Sequence, residues 1–370
     1  MMTRYWNACV AGVLLAVPML VPPETLSAQH RVDNILVVTL DGMRWQEVFG
    51  GASPEYLGKQ RGGVEDSAAL AARFVRSSAE AGREKLMPFL WGTIAKAGQL
   101  FGDSAQGSYA HVTNGMWFSY PGYNEMLSGA PDSRIDSNDT IPNPNITVLE
   151  WLNRKPAYAG KVAAFASWEL LPWILNVGRS GLPANGQGPP IPNPTTERAR
   201  LLDDVSADLP PYWGATRFDA TTMHGAFEYL REHHPRVLYV MLGETDEWGH
   251  DRRYDLYLDA AWRGDRFIQR LWQLVQAIPQ YAGKTALVVT TDHGRGATPE
   301  DWTDHGKKTP GSGRVWIAVL GPETPALGVR HDAPVTQSQV AATIAALLGE
   351  RFTRTDAEVA APLPGVLPQR

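Results

Sequence analysis

Asp41 closes the apolar run Ile-Leu-Val-Val-Thr-Leu, and Asp246 and His250 follow a second run at 237–242. Asp292 and His293 end a third, Ala-Leu-Val-Val-Thr-Thr, with His305 shortly after. Three carboxylates and three imidazoles thus stand just past apolar runs, where an open parallel sheet carries its ligands. So many hard and borderline donors suit two divalent cations better than one. Ser119, in Phe-Ser-Tyr-Pro-Gly-Tyr-Asn, is the hydroxyl such a pair would activate.

Each residue also has a plainer reading. Asp-Gly after a strand is a common turn, so Asp41 gains weight only from its place beyond the first strand. In Asp246-Glu-Trp-Gly-His250 the spacing i, i+4 puts carboxylate and imidazole on one face of a helix. Glu247 is expected to point elsewhere, and Glu244 precedes the turn. The alternative is a solvated acidic loop. Adjacent Asp292 and His293 after a Val-Val strand are costly to bury unless a cation pairs with them. His305 follows 12 residues after His293, close enough to return through a short loop. Pro121 and Gly122 open a helical pattern just after Ser119, and backbone N–H groups at a helix start favour an anion. Gly-x-Ser-x-Gly and His-Glu-x-x-His are both absent from the sequence, which disfavours an ordinary serine hydrolase and a zincin peptidase.

The positioning elements come next. Five apolar runs, 35–40, 162–166, 237–242, 286–291 and 315–320, read as buried strands without strict alternation. Parallel strands covered on both faces look like this. Helical patterns fall at 87–98, 222–233, 254–278 and 337–348, the last with Val340, Ile344, Leu347 and Leu348 on one face. The alternation predicts an α/β protein, a three-layer α/β/α sandwich around a mostly parallel sheet. Residues 171–214 hold 8 Pro and 5 Gly in 44 residues, and read as an irregular insertion at the rim of the site or an exposed connector. The single domain is expected over 30–361, with 362–370 a tail.

With 370 residues, 44% hydrophobic and 20% charged, the chain can bury a full core and is not a disordered polymer. The net charge of −5 and the absence of basic blocks interleaved with aromatics argue against nucleic acid. Arg4, the apolar stretch 8–21 and Thr-Leu-Ser-Ala before Gln29 read as an export signal cleaved after Ala28. The stretch is short for a membrane span, and an uncleaved signal anchor is the alternative. Periplasmic or extracellular location without stable membrane association is therefore expected. The only cysteine, Cys9, lies in that segment, so any metal in the mature chain has oxygen and nitrogen ligands. Asn138-Asp-Thr and Asn145-Ile-Thr are sequons.

On these motifs the chain resembles the alkaline phosphatase superfamily, in the branch of nucleotide pyrophosphatase/phosphodiesterases and related bacterial secreted phosphatases. Ser119-Tyr120-Pro121 with Ser128-Gly129, Asp-x-x-Gly-His at 246–250 and Asp-His-Gly at 292–294 carry the resemblance, over roughly 34–349. It implies that Asp246, His250 and His305 hold one divalent cation, and Asp41, Asp292, His293 and Ser119 the other. Zinc is expected, with manganese, magnesium or calcium as alternatives. It also implies hydrolysis of a small phosphate monoester or diester through a phosphoserine. Three departures stand out. Serine replaces the threonine usual in the phosphodiesterases. Gly122 stands where a phosphate-binding Asn is expected, with Asn124 as its substitute. His305 also lies closer than the usual last ligand. Arg44 and Arg295 follow two ligand segments and are candidates for substrate oxygens or for structural ion pairs. A sulfatase-like hydrolase, a phosphomutase and a non-catalytic binding protein of this fold are the competing readings; the sulfatase reading lacks the Arg of Cys/Ser-x-Pro-x-Arg.

Overall fold

The computed structural model describes residues 1–2, 32–331 and 334–368. The expected export segment, apart from Met1 and Met2, lies outside the described residues. Eight strands form the main sheet: β1 (Asn34–Leu40), β2 (Gln99–Phe101), β3 (Val162–Ala166), β4 (Ala184–Asn185), β5 (Val237–Leu242), β6 (Thr285–Thr290), β7 (Ile317–Leu320) and β8 (Gly328–Val329). Their spatial order is β8-β2-β7-β6-β1-β5-β3-β4. β1 pairs in parallel with β5 and β6, and β3 in parallel with β5 and β4. β7 runs antiparallel to both β6 and β2.

The central strands read as continuous apolar runs because both their faces are covered. Along β1, Ile35 and Val37 point into one core while Leu36, Val38 and Leu40 point into the other. Helices α2 (Asp219–His233) and α4 (Tyr254–Gln276) pack on the second face through residues such as Phe227, Phe267 and Leu271. Helices α1 (Ser119–Ser128) and α5 (Gln339–Leu347) cover the first face through Tyr123, Met126 and Ile344. This is the three-layer α/β/α sandwich.

Several local readings change. The run at 315–320 splits at Trp316. Val315 joins a small three-stranded sheet made of Ala110–His111, Arg314–Val315 and Val335–Thr336, and only Ile317–Leu320 enters the main sheet, antiparallel to its neighbours. The pattern at 87–98 contains a π-helical segment, Leu90–Ile94. Within 171–214 the chain forms a helix at Glu197–Asp208, with the Thr196 side chain accepting from the Ala199 N–H as its cap. β4, also in that stretch, extends the main sheet. Beyond 361, Leu363 and Val366 are buried in the core. No helix among the described residues is long and apolar enough to cross a membrane.

Candidate metal centre

The register of the three central strands creates the site. Leu40 lies opposite Leu242, and Thr39 opposite Thr290. Residues just past β1, β5 and β6 therefore leave the sheet along one edge, side by side. Asp41 is the first residue past β1, and its N–H still donates to Leu242 O at 2.9 Å. Helix α3 (Glu244–His250) begins two residues past β5 and carries Asp246 and His250 on one face. Their side chains meet, with His250 Nε2 3.1 Å from Asp246 Oδ2. Asp292 and His293 follow β6. Ser119 is the first residue of α1.

All six acid and imidazole residues converge. They form two groups, Asp246–His250–His305 and Asp41–Asp292–His293, each with potential ligand atoms within 4.8 Å of one another. His305 Nε2 lies 3.0 Å from His250 Nε2, two ring nitrogens aimed at one point. In the second group His293 Nε2 lies 3.4 Å from Asp41 Oδ1 and 3.3 Å from Asp292 Oδ2. Asp246 Oδ1 is 3.9 Å from the same nitrogen, so the two groups are contiguous. Ser119 Oγ sits 3.2 Å from His293 Nε2.

The donor set fits divalent cations. Asp41 Oδ1 and Asp292 Oδ2 are buried without a hydrogen-bond partner, an arrangement costly to leave unmade. The remaining atoms are held by the fold. Tyr123 OH donates to Asp41 Oδ2 at 2.9 Å, and the Gly42 N–H donates to Asp292 Oδ1 at 3.1 Å. His293 Nδ1 faces Gly294 O at 2.8 Å, which fixes that nitrogen as a donor and leaves Nε2 for the site. Burial, then the neighbouring Asp41 charge, pushes the Asp292 carboxyl well above its ordinary range. Burial disfavours a charged His293 ring, but Asp292, Asp41 and Asp246 outweigh it and raise the ring to about 9. The three carboxylates thus favour a positive charge at this point, which a cation would supply better than a protonated ring.

The expected substrate-binding residues lie elsewhere. Arg295 is 1% exposed and donates to Asp246 Oδ1, to Asp246 O at 2.6 Å and to Thr303 O. It therefore fastens a ligand carboxylate and the loop leading to His305. Burial raises the Asp246 carboxyl, but Arg295, with His250 and His305, holds it well below the usual carboxylate range. Arg44 is buried, pairs with Glu47 at 3.3 Å and stacks over Tyr56. Asn124, within α1, is buried and its Oδ1 accepts from Asn143 and Asn145. None of the three lines the cavity beside Ser119. Gly122 has a steric explanation: a Cβ there would lie 2.5 Å from Asp292 O, so only glycine lets α1 approach the end of β6 this closely.

That cavity measures about 170 Å³ and is bordered by ligand residues and Ser119, with Asn138, Trp168, Thr216, Gly243 and Glu247. Asn138 Oδ1 accepts the Tyr120 N–H at 3.0 Å, beside Ser119. The sequence reading missed it because its sequon gave it another meaning. Glu247 faces the cavity, contrary to expectation. It stands three residues before His250, and i, i+3 neighbours share a helix face, so the signal was available. Residues 171–214 contribute nothing to this lining; Trp168 and Thr216, which flank that stretch, form a bridge across its base.

The family model for type I phosphodiesterase / nucleotide pyrophosphatase matches residues 73–365. The chain belongs to that family. It is an alkaline phosphatase superfamily hydrolase. No curated protein matches it. Among solved structures it is similar to the alkaline phosphatase PafA at 10% identity and TM-score 0.58, covering 91% of this chain and 99% of that one. It is also similar to the lipoteichoic acid synthase LtaP from Listeria monocytogenes at 12% identity and TM-score 0.56, covering 91% and 76%. A phosphonate monoester hydrolase from Silicibacter pomeroyi matches at 14% identity and TM-score 0.52, covering 86% and 74%. At these identities the likeness concerns the fold.

Proposed function

We propose that this protein is an exported phosphodiesterase that cleaves small phosphate esters at a two-cation site, with Ser119 as nucleophile. The observation that carries the reading is Ser119 Oγ at 3.2 Å from His293 Nε2, beside two contiguous acid–histidine groups, in the nearer of which Asp41 Oδ1 and Asp292 Oδ2 are buried without a hydrogen-bond partner. Asp246, His250 and His305 would hold one cation, and Asp41, Asp292 and His293 the other, with Ser119 beside it. Zinc suits this nitrogen and oxygen set. Bound there, the pair supplies charge neutralisation for the attacking and leaving oxygens of an in-line displacement. Ser119 Oγ attacks phosphorus as its proton passes to solvent, the ester P–O bond breaks and the leaving alkoxide takes a proton from water and departs as the alcohol. Water then attacks the phosphorus of the seryl phosphoester, breaking its bond to Oγ, releasing the remaining monoester and restoring the hydroxyl. Asn138, its Oδ1 engaged by the Tyr120 N–H, has its Nδ2 group free to bind a phosphoryl oxygen at the start of α1.

The charge balance favours a diester. Three ionised Asp and two divalent cations would give about +1; burial raises the Glu247 carboxyl to about 7, and above that pH its charge brings the wall to about zero. The lining contains no Lys or Arg to attract the second charge of a monoester. Export rests on residues 1–28 alone. The test is hydrolysis of an aryl phosphodiester, an aryl phosphate monoester and an aryl sulfate by the mature chain, with and without chelator. Chelator-sensitive diester cleavage is expected, abolished in Ser119→Ala with metal content intact. Equal turnover by Ser119→Ala would remove the nucleophile, and sulfate hydrolysis alone would overturn the substrate class.

A further inference from the structure

The turn that delivers Ser119 has a backbone conformation its sequence does not favour. Trp117, two residues before the nucleophile, has φ of 54°. The left-handed region is unusual for a bulky side chain and persists only where the surroundings impose it. Here they do. Asn114 Oδ1 accepts the N–H of Met116 at 2.8 Å and of Trp117 at 3.1 Å. Asn114 is anchored in turn by Glu125, which is fully buried on α1. The Glu125 carboxylate accepts the N–H of Thr113 at 3.0 Å and of Asn114 at 2.9 Å, with hydroxyls of Thr113 and Ser338 each at 2.8 Å. From the other side the indole lies on Gly313, where a Cβ would come within 2.9 Å of it. The preceding Ser312 O accepts the N–H of Gly294, next to His293, at 2.7 Å. One end of the turn is thus tied to the nucleophile's helix, and the surface under the indole is tied to the loop of His293.

We propose that this left-handed turn sets the direction of Ser119 Oγ toward His293, and that Asn114 and Glu125 are positioning residues for the nucleophile. The inference rests on Ser119 being the nucleophile, as proposed above. Past Trp117 the chain straightens at Phe118 (φ −144°, ψ 176°) and enters α1 with Ser119. A relaxed Trp117 would change the direction in which Phe118 and Ser119 enter the helix. A displacement of about 1 Å at a reacting atom can cost about 100-fold in rate.

Two pairs of variants test this. Trp117→Asn and Trp117→Val both remove the indole, but Asn tolerates the left-handed region and a β-branched residue does not. Asn114→Asp keeps the acceptor that Asn114→Ala removes. We expect Trp117→Val and Asn114→Ala to lose at least about tenfold in kcat on an aryl phosphodiester, with KM and zinc content near wild type. Trp117→Asn and Asn114→Asp should recover most of the loss. Equal kcat within each pair overturns the proposal, as does a loss that falls on KM or zinc content instead. If the wild-type chain does not cleave the ester, the functional reading fails. The positioning claim is then decided by crystal structures of the Trp117 pair, which should keep the Ser119 Oγ to His293 Nε2 spacing of 3.2 Å in Trp117→Asn and lose it in Trp117→Val. An unchanged spacing in both overturns it.

Discussion

Replacing Arg295 with Met should destabilise the cation-free protein by about 3 kcal/mol, the lower end of the range for breaking a buried ion pair. The guanidinium is 1% exposed and makes three hydrogen bonds, two to Asp246 and one to Thr303 O. Without it the Asp246 carboxylate keeps His250 at 3.1 Å and the His293 ring, raised to about 9, at 3.9 Å, which is why the lower figure applies. Methionine fills most of the stem's volume, so cavity formation adds little. Against a total stability of about 5–15 kcal/mol this is a large fraction. The assay is urea unfolding in excess chelator. The pH dependence supplies a second reading. Asp246 is held below its unfolded value, so its contribution is present above about pH 4 and is lost as pH falls through the folded value. The gap between wild type and Arg295→Met should therefore narrow in acid. Arg295→Lys keeps the charge but cannot span three oxygens, and should fall between the two. A change below about 0.5 kcal/mol in Arg295→Met at neutral pH would refute the assignment of Arg295 as the anchor of Asp246.

Gly122→Ala should lower activity at least about tenfold and reduce stability, because its Cβ meets a backbone oxygen at 2.5 Å, whereas Gly92→Ala, with open space around it, should do neither; both are read by kinetics and thermal melting. Burial raises the Glu247 carboxyl to about 7, so above about pH 8 Glu247→Gln should raise monoester hydrolysis relative to diester hydrolysis by about tenfold or more, since two charges about 5 Å apart at an effective dielectric near 20 interact by about 3 kcal/mol; an unchanged ratio there refutes a role in selecting substrate charge. Burial raises the Asp265 carboxyl, which caps the Phe89 and Leu90 N–H groups, to about 7. The folded state then binds more protons than the unfolded one between about pH 4 and 7, so this group's contribution to stability falls as pH rises through that window. Asp265→Asn should flatten that slope in chelator-treated protein, and an unaltered slope assigns it to another group.

The convergence of these acid and histidine side chains was legible because strand ends are legible. Asp41, Asp246 and Asp292 each follow an apolar run, and a parallel register carries such positions to one edge of a sheet whatever loops intervene. The helical spacing of Asp246 and His250 needed no tertiary information either. The fold class followed from unbroken apolar strands alternating with helical patterns. Other features depended on contacts distant in sequence. Arg295 and Arg44 carry the same charge after similar motifs, yet Arg295 grips a ligand and Arg44 pairs with Glu47 away from the cavity. Gly122 is explained by the oxygen of Asp292, 170 residues away. The antiparallel direction of β7 was hidden because a short apolar run looks the same either way along a sheet. Side-chain types and their local period determined which chemistry this chain can hold. Only the packed structure decided which polar groups face the cavity and which fasten its walls, since that choice depends on burial and on partners that no local pattern records.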